Sequence, residues 1–206
     1  MRAAGLAGRC PRRFRRTTIP SDTPAAQPPD LVRRDFNPSE PDRLWISDIT
    51  YIRTWEGWLY LAVILDAFSR RVVGWALADH LRTELATDAL QMALSGRQPR
   101  PGLIHHSDRG GQYLSAAYIG MLASYGVHSS VGHPGTCRDN AAAESFFATL
   151  KTELIHRAVW PTRQHARTAI FLYLEGFYNR HRRHSTLGYY SPNDFELAHR
   201  AATLAA

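Results

Sequence analysis

The chain has 206 residues, 44% of them hydrophobic, and a formal net charge of +7. This length predicts one domain with appendages, and the charge favours a polyanionic partner such as nucleic acid. The longest apolar run, WLYLAVIL, is too short to cross a bilayer, so we expect a cytoplasmic protein without a membrane anchor. Cys10 and Cys137 lie far apart, which argues against a disulfide framework or a cysteine-based zinc site.

The N-terminal 40 residues form the first distinct region. They contain eight arginines, six prolines and few large apolar side chains, which predicts a basic, mostly extended arm. Such an arm could track DNA, or it could be a solvated linker or the remnant of a missing domain. We expect the core to span residues 41–198, with a short tail at 199–206.

After the arm the pattern changes to β-rich segments. The runs LWISDITYIR and WLYLAVILD are joined by the turn at Glu56 and Gly57, which predicts a hairpin. RRVVGWALA follows another turn and predicts a third antiparallel strand. GLIHHS, which precedes Asp108, and GVHSSV predict a fourth and a fifth strand.

Helices are predicted between the third and the fifth strand and after the fifth. Leu85, Ala89 and Met92 have helical spacing within residues 83–95, and residues 115–125 indicate a second helix. The segment VGHPGTCRDN predicts a loop.

A third helix is expected over residues 140–155, with Phe147, Leu150 and Leu154 as its buried stripe. In a long helix over residues 162–179, Ala166, Ile170, Tyr173 and Phe177 repeat at helical steps, and Ser191 and Pro192 should begin a terminal helix. Strands first and helices later predict an α/β fold with a mixed five-stranded sheet flanked by helices.

Three carboxylates occupy unusual positions in this pattern. Asp48 lies inside a strand, Asp108 closes a strand, and Glu144 lies in the first turns of a helix, with 35 residues between Asp108 and Glu144. Each has an ordinary explanation: a solvated strand face, a turn-forming aspartate, or an acid that complements the helix dipole. Together they can converge on a pair of Mg²⁺ ions, which prefer oxygen ligands and catalyse phosphoryl transfer.

The helix of Glu144 has a second polar residue of interest. Lys151 is the only lysine among 25 basic residues, and it lies two helical turns after Glu144. Asn140, Glu144 and Lys151 share one helix face, which suits a helix beside a phosphate backbone. A solvated face with unrelated charges is the alternative.

Several motifs in one order give a more specific indication. They are W-x-x-D-I-T-Y-I, L-D-x-F-S-R-R-V-V-G-W, H-S-D-R-G-x-Q-Y, D-N-A-x-x-E-S-F-F-x-x-L-K and Y-N-x-x-R-x-H-S-x-L-G-Y-x-S-P. From about residue 31 to residue 196 the chain resembles the OrfB-type insertion-sequence transposases, whose catalytic core is similar to that of retroviral integrases.

The resemblance implies a ribonuclease-H-like fold, with Asp48, Asp108 and Glu144 as a DDE triad that binds two Mg²⁺ ions, for which Mn²⁺ can substitute. It implies a DNA transposase that acts on transposon ends and target DNA as a homo-oligomer, near the nucleoid, with an upstream-encoded helix-turn-helix partner. It also implies that Lys151 contacts the transposon end.

The chain departs from the family pattern in three places, one of which, Gly111 in place of a common serine, should be harmless in a turn. The loop around Arg138 is less basic than is usual, and the N-terminus retains only the tail of the expected helix-turn-helix region. Two other functions therefore stay open: a ribonuclease-H-like nuclease that only cuts, and an inactive truncated remnant that binds DNA. We expect Arg138, Asn140, Arg180 and Arg183 to contact DNA, although a solvated basic turn would also explain the last two.

Other notable side chains have simpler interpretations. Asp66 ends a strand and is expected to have a structural role with Ser69 or Arg70. His105 and His106 are adjacent on a strand and should point to opposite faces, so they should not chelate one ion. The tryptophans in the predicted strands are expected to pack in the core or on the sheet; they are Trp45, Trp58 and Trp75.

Overall fold

The computed structural model describes residues 28–132 and 141–205. Five strands and five α-helices occur in this part of the chain. The strands are β1 (Leu44–Thr54), β2 (Gly57–Asp66), β3 (Val72–Ala78), β4 (Ile104–Ser107) and β5 (His128–Val131). The α-helices are α1 (Thr83–Arg97), α2 (Ala116–Ser124), α3 (Ala141–Glu153), α4 (Arg163–Phe171) and α5 (Pro192–Ala205). A π-helix (Leu172–Tyr178) continues α4, and short 3₁₀ turns occur at Ile155–Arg157 and Ser185–Leu187.

The five strands form one mixed sheet in the order β3-β2-β1-β4-β5. β1, β2 and β3 pair antiparallel because tight turns connect them, whereas β4 and β5 follow helical crossovers and pair parallel. The predicted meander and the predicted mixed five-stranded sheet are therefore confirmed.

Helices cover both faces of this sheet. On one face α1 and α2 bury Trp45, Ile64 and Leu90, and on the other α3 and α4 pack against Ile46 and Leu61. The inner strand β2 is buried on both sides, which explains its continuous apolar run. The result is a three-layer arrangement with the sheet in the middle.

Gly74 on β3 shows how closely α1 approaches the sheet. A Cβ atom at this position would lie 2.3 Å from the backbone oxygen of Ala89. Only glycine allows this helix to pack so tightly on the strand.

Two apolar residues at the predicted helical spacing are exposed in the structure. Met92 is 41% exposed, because α1 faces the sheet through a stripe centred on Ala89, Leu90 and Ala93. Phe177 is 44% exposed, because the π-helix has a wider turn than an α-helix and shifts the buried positions to Leu174 and Tyr178.

The N-terminal end of the described chain packs on the core, and the C-terminal end is the helix α5. The Val131 backbone N–H donates to the Pro29 oxygen at 3.4 Å, and Val32 is buried. Ser191 caps α5 by accepting from the Asp194 backbone N–H at 3.2 Å, as predicted. This helix continues to Ala205 and so crosses residue 198, where we expected a tail to begin. Within the described residues, no helix is long and apolar enough to span a bilayer.

Asp66 has the structural role that the sequence predicted. Its side chain is fully buried and accepts hydrogen bonds from the Ser69 backbone N–H at 2.9 Å, the Ser69 hydroxyl at 3.0 Å and the Asp42 backbone N–H at 2.7 Å. Burial raises the pKa of Asp66 from 3.8 to about 6, although these hydrogen bonds oppose the shift. Asp66 thus ties the β2–β3 turn to the segment before β1.

We expect the Asp66→Asn variant to be less stable than the wild type, and more so in acid. Its amide group would face the Asp42 N–H, which costs about 1–3 kcal/mol. The folded wild type binds the Asp66 proton more tightly than the unfolded chain does. The contribution of Asp66 to the free energy of unfolding therefore falls as the pH rises towards 6. Urea unfolding should show that the difference in free energy of unfolding between the two proteins narrows by about 2 kcal/mol from about pH 4.5 to about pH 7. A constant gap would contradict the role of the buried charge.

Candidate active site

Asp48 and Asp108 lie on neighbouring parallel strands. The paired register of β1 and β4 ends with Ile46 opposite His106, and two further residues along each strand lead to Asp48 and Asp108. Because side chains alternate between faces, Asp48 lies on the same face as Ile46, which packs against α3.

Both aspartates also bind local backbone groups. An oxygen of Asp48 accepts from the Ile49 N–H at 2.7 Å, and an oxygen of Asp108 accepts from the Gly110 N–H at 2.9 Å. Asp108 is exposed at the start of its turn, whereas Asp48 is partly buried. Each of these two hydrogen bonds uses one oxygen of the carboxylate, and the second oxygen takes no part in it.

The helix α3 brings Glu144 and Lys151 to the same face of the sheet. It packs on the core through Ala143, Phe146, Phe147 and Leu150. This stripe confirms the predicted burial of Phe147 and Leu150, while Leu154 lies just after the helix and is only partly buried. Glu144 is exposed, and Lys151 is half-buried two turns further along.

The charges of the neighbouring residues act on Asp48. Burial is the main reason that the pKa of Asp48 rises from 3.8 to about 6, opposed by the hydrogen bond from Ile49. The negative charges of Asp108 and Glu144 raise this pKa further, and the positive charge of Lys151 lowers it. The charges of the other two predicted acids and of the lysine therefore all act on the carboxyl group of Asp48.

The donor chemistry of this site suits a hard divalent cation. The three acids supply only carboxylate oxygens, and a bound cation would relieve the mutual repulsion that raises the Asp48 pKa. Across residues 28–132 and 141–205, however, no three His, Cys, Asp or Glu side chains are grouped closely enough to hold an ion. The donor types fit Mg²⁺, but the grouping shown here would have to tighten around it.

The two adjacent histidines point to opposite faces of the sheet, as predicted. Nε2 of His105 lies 2.9 Å from the Tyr118 hydroxyl, and burial lowers the pKa of His105 to about 3. Nδ1 of His106 lies 2.9 Å from the Ser130 hydroxyl, on the face that carries Asp108. The pair cannot chelate one ion.

The predicted DNA contacts are spread over several segments. Arg138 and Asn140 lie outside the described residues. Arg180 and Arg183 are exposed in the turn after the π-helix, and Arg183 lines a cavity of about 250 Å³ beside α3.

Arg182, between them in sequence, has a structural contact. Its guanidinium binds Glu153 at the end of α3 at 2.8 Å, and the Tyr173 hydroxyl donates to the same carboxylate at 2.6 Å. The basic turn is thus attached to α3 through one arginine, while its neighbours face solvent.

Sequence reasoning missed a group of exposed aromatic side chains next to Lys151. The Lys151 ammonium lies 5.8 Å from the centre of the Tyr51 ring, which meets the Trp58 ring edge to face at 5.0 Å. As expected, Trp45 is fully buried and Trp75 packs against the core, while Trp58 packs on the sheet against Tyr51 and remains 43% exposed. The alternation of β1, which turns Tyr51 away from the buried Ile52, is the sequence pattern that indicates this exposure.

A mixed five-stranded sheet in the order β3-β2-β1-β4-β5, with helices on both faces, defines a ribonuclease-H-like core of the integrase type. Two family models described as Integrase core domain match residues 38–137 and 125–192. The fold is similar to the HTLV-2 integrase catalytic core domain in complex with magnesium, with a TM-score of 0.57 and 17% identity over 77% of this chain and 98% of that one. This likeness confirms the predicted fold class.

Curated relatives identify the family. The chain is 44% identical to Transposase InsF for insertion sequence IS3A of Escherichia coli (strain K12), over 95% of this chain and 68% of the relative. It is 45% identical to the transposase for insertion sequence element IS904 of Lactococcus lactis subsp. lactis (strain IL1403), over 82% of this chain and 66% of that one. The chain belongs to the insertion-sequence transposases with an integrase core domain, which are polynucleotidyl transferases.

Proposed function

We propose that this chain cuts phosphodiester bonds at the ends of an insertion sequence and joins the resulting 3′-hydroxyl to target DNA, with Asp48, Asp108 and Glu144 as its DDE triad. The observation that supports this proposal is that the charges of Asp108, at the end of β4, and of Glu144, on α3, both act on the partly buried carboxyl group of Asp48 in β1. Acids so far apart in sequence have no structural need to meet on one sheet face.

The three carboxylates would hold two Mg²⁺ ions, for which Mn²⁺ can substitute. Bound there, the ions would supply activation of the attacking oxygen and stabilisation of the leaving oxygen in an in-line displacement. Asp48 is partly buried and ionised at neutral pH, so it offers a poorly solvated negative charge to a cation. Asp108 and Glu144 are more exposed and can adjust their side chains when DNA binds.

The positive residues around the acids would orient the DNA. The charge of Lys151, on the helix of Glu144, acts on Asp48, and its ammonium can pair with a phosphate of the transposon end. Arg180 and Arg183 are exposed and suited to backbone phosphates, and we extend this role to Arg138 and Asn140. The net charge of +7 supports such contacts.

The assembly is also part of the proposal. We expect a homo-oligomer that holds two element ends and a target, with an upstream-encoded helix-turn-helix protein that supplies end recognition. The site of action would be the cytoplasm, at the nucleoid.

One assay separates this function from its two alternatives. The chain would be incubated with labelled element ends, a target plasmid and Mg²⁺. Joined products support the transposase, cleavage without joining supports a ribonuclease-H-like nuclease, and binding without either supports a truncated remnant. Omission of the divalent ion and addition of a chelator are the controls for metal dependence.

A further inference from the structure

An open groove of about 620 Å³ lies at the tip of the β1–β2 hairpin, and we call it the aromatic groove. Tyr51 is 59% exposed, Trp55 76% and Trp58 43%. Exposed aromatic side chains grouped in this way are uncommon on a surface that serves only folding. The groove is lined by Tyr51, Trp55, Trp58, Lys151, His156 and Val159, with others.

The backbone that carries these rings is held firmly. The Trp55 N–H donates to the Trp160 oxygen at 3.0 Å, which ties the hairpin tip to the segment after α3. Arg163 binds the tip twice: its backbone N–H donates to the Glu56 carboxylate at 2.8 Å, and its side chain donates to the Trp58 oxygen at 3.1 Å. The rings are therefore presented on a fixed frame, which lowers the entropy cost of binding a ligand.

The charges in the groove favour an anionic occupant. Besides Lys151 above the Tyr51 ring, the Arg53 guanidinium lies 5.9 Å from the centre of the Trp58 ring. The lining described for this groove contains no carboxylate. Rings beside cations are the combination that binds single-stranded nucleic acid, since bases stack on the rings and phosphates pair with the cations.

The groove is continuous with the candidate active site through Lys151. This residue borders the groove, and its charge also acts on Asp48. A DNA strand with a phosphate near Lys151 would have its next nucleotide within reach of the groove, because neighbouring phosphates are only a few ångströms apart along a strand. The base must be unpaired, since the faces of paired bases are covered by their neighbours in the duplex.

We propose that the aromatic groove binds an unpaired nucleotide of the DNA end, with its base stacked on Trp55 or Trp58 and its phosphate directed towards Lys151. This inference rests on the proposed function and adds a DNA feature that the site recognises. A second copy of the chain fits less well, because three aromatic side chains supply far less than the roughly 800 Å² per partner of a stable interface.

The test uses the full chain and DNA ends that carry 2-aminopurine, either in an unpaired overhang or inside a blunt duplex, without divalent ions. Stacking should quench the fluorescence of the overhang probe and leave the blunt probe largely unchanged. Trp55→Ala and Trp58→Ala should each weaken overhang binding about tenfold and reduce the quenching. Trp55→Phe should retain most of both effects, because it keeps an aromatic ring.

Phe171→Ala is the matched control, because Phe171 is 50% exposed on α4. Its ring lies next to the Trp75 ring, away from the groove. Unchanged overhang binding by Trp55→Ala and Trp58→Ala would overturn the proposal. A loss of self-association by these two variants in sedimentation without DNA would also overturn the proposal, because it would assign the groove to a second copy of the chain. Since quenching is measured without metal, failure of cleavage in the Mg²⁺ assay is a separate result and concerns the proposed function alone.

Discussion

Asp48→Asn, Asp108→Asn and Glu144→Gln are each expected to reduce strand joining about a thousandfold while the protein stays folded. Each change keeps the size of the side chain and removes one negative charge from the proposed metal site. A divalent ion contributes several kcal/mol to the stability of the transition state, and each 1.4 kcal/mol is a factor of ten in rate. The loss should appear in the rate of the chemical step more than in DNA affinity.

The measurement is the joining of labelled element ends to a plasmid with Mg²⁺, beside a binding assay with the same DNA. Glu84→Gln is a matched control for Glu144→Gln, because both residues are exposed acids in the first turn of an α-helix. The control should join DNA at the wild-type rate. Full joining activity in Glu144→Gln would remove this residue from the triad.

The sheet and the grouping of the acids were accessible from sequence because they follow from local patterns. Alternating apolar residues and a Glu56-Gly57 turn specify the hairpin, and a helical segment between β3 and β4 requires a parallel crossover. Once β4 lies beside β1, the number of residues in each strand brings Asp48 next to Asp108. The apolar stripe of α3 then determines which way Glu144 points.

Other features depend on contacts between distant segments, and no local pattern reports them. The π-helix shifts the register of Phe177, although the residues before it keep α-helical spacing. The side chain of Arg163, more than one hundred residues away, donates to the backbone oxygen of Trp58 at the hairpin tip. Hydrophobic periodicity identifies a buried face, but it cannot show which partner covers that face.

A network of charged side chains around Arg97 is a further long-range feature. At the end of α1, this arginine binds Asp42 at 2.8 Å and Glu196 of α5 at 2.7 Å. Glu196 also binds Arg71 at 3.0 Å, and its carboxylate lies 2.7 Å from the Ser69 hydroxyl, whose single hydrogen it shares with Asp66. Although burial alone would raise the pKa of Glu196, the bonds and charge of Arg97 hold it below its usual value. One arginine therefore joins α1, the start of β1 and α5.

Arg97→Ala should lower the free energy of unfolding by about 3 kcal/mol, since it leaves two largely buried carboxylates without their main counter-ion. For a chain of this size, that loss lowers the melting temperature by roughly 6–12 °C. Arg100→Ala is the control, because Arg100 is an exposed arginine that lines the same surface cavity as Arg97. It should change stability by less than about 0.5 kcal/mol.

The effect of Arg97→Ala should also depend on pH. The depressed pKa of Glu196 means that its contribution is present at neutral pH and is lost as pH falls through the folded-state pKa. The stability gap between the variant and the wild type should therefore shrink in acid, and amide hydrogen exchange should show earlier opening of α5 in the variant at neutral pH. An equal loss at both pH values, with α5 still protected, would mean that Arg97 stabilises the fold by packing of its aliphatic stem, because packing does not depend on the charge of Glu196.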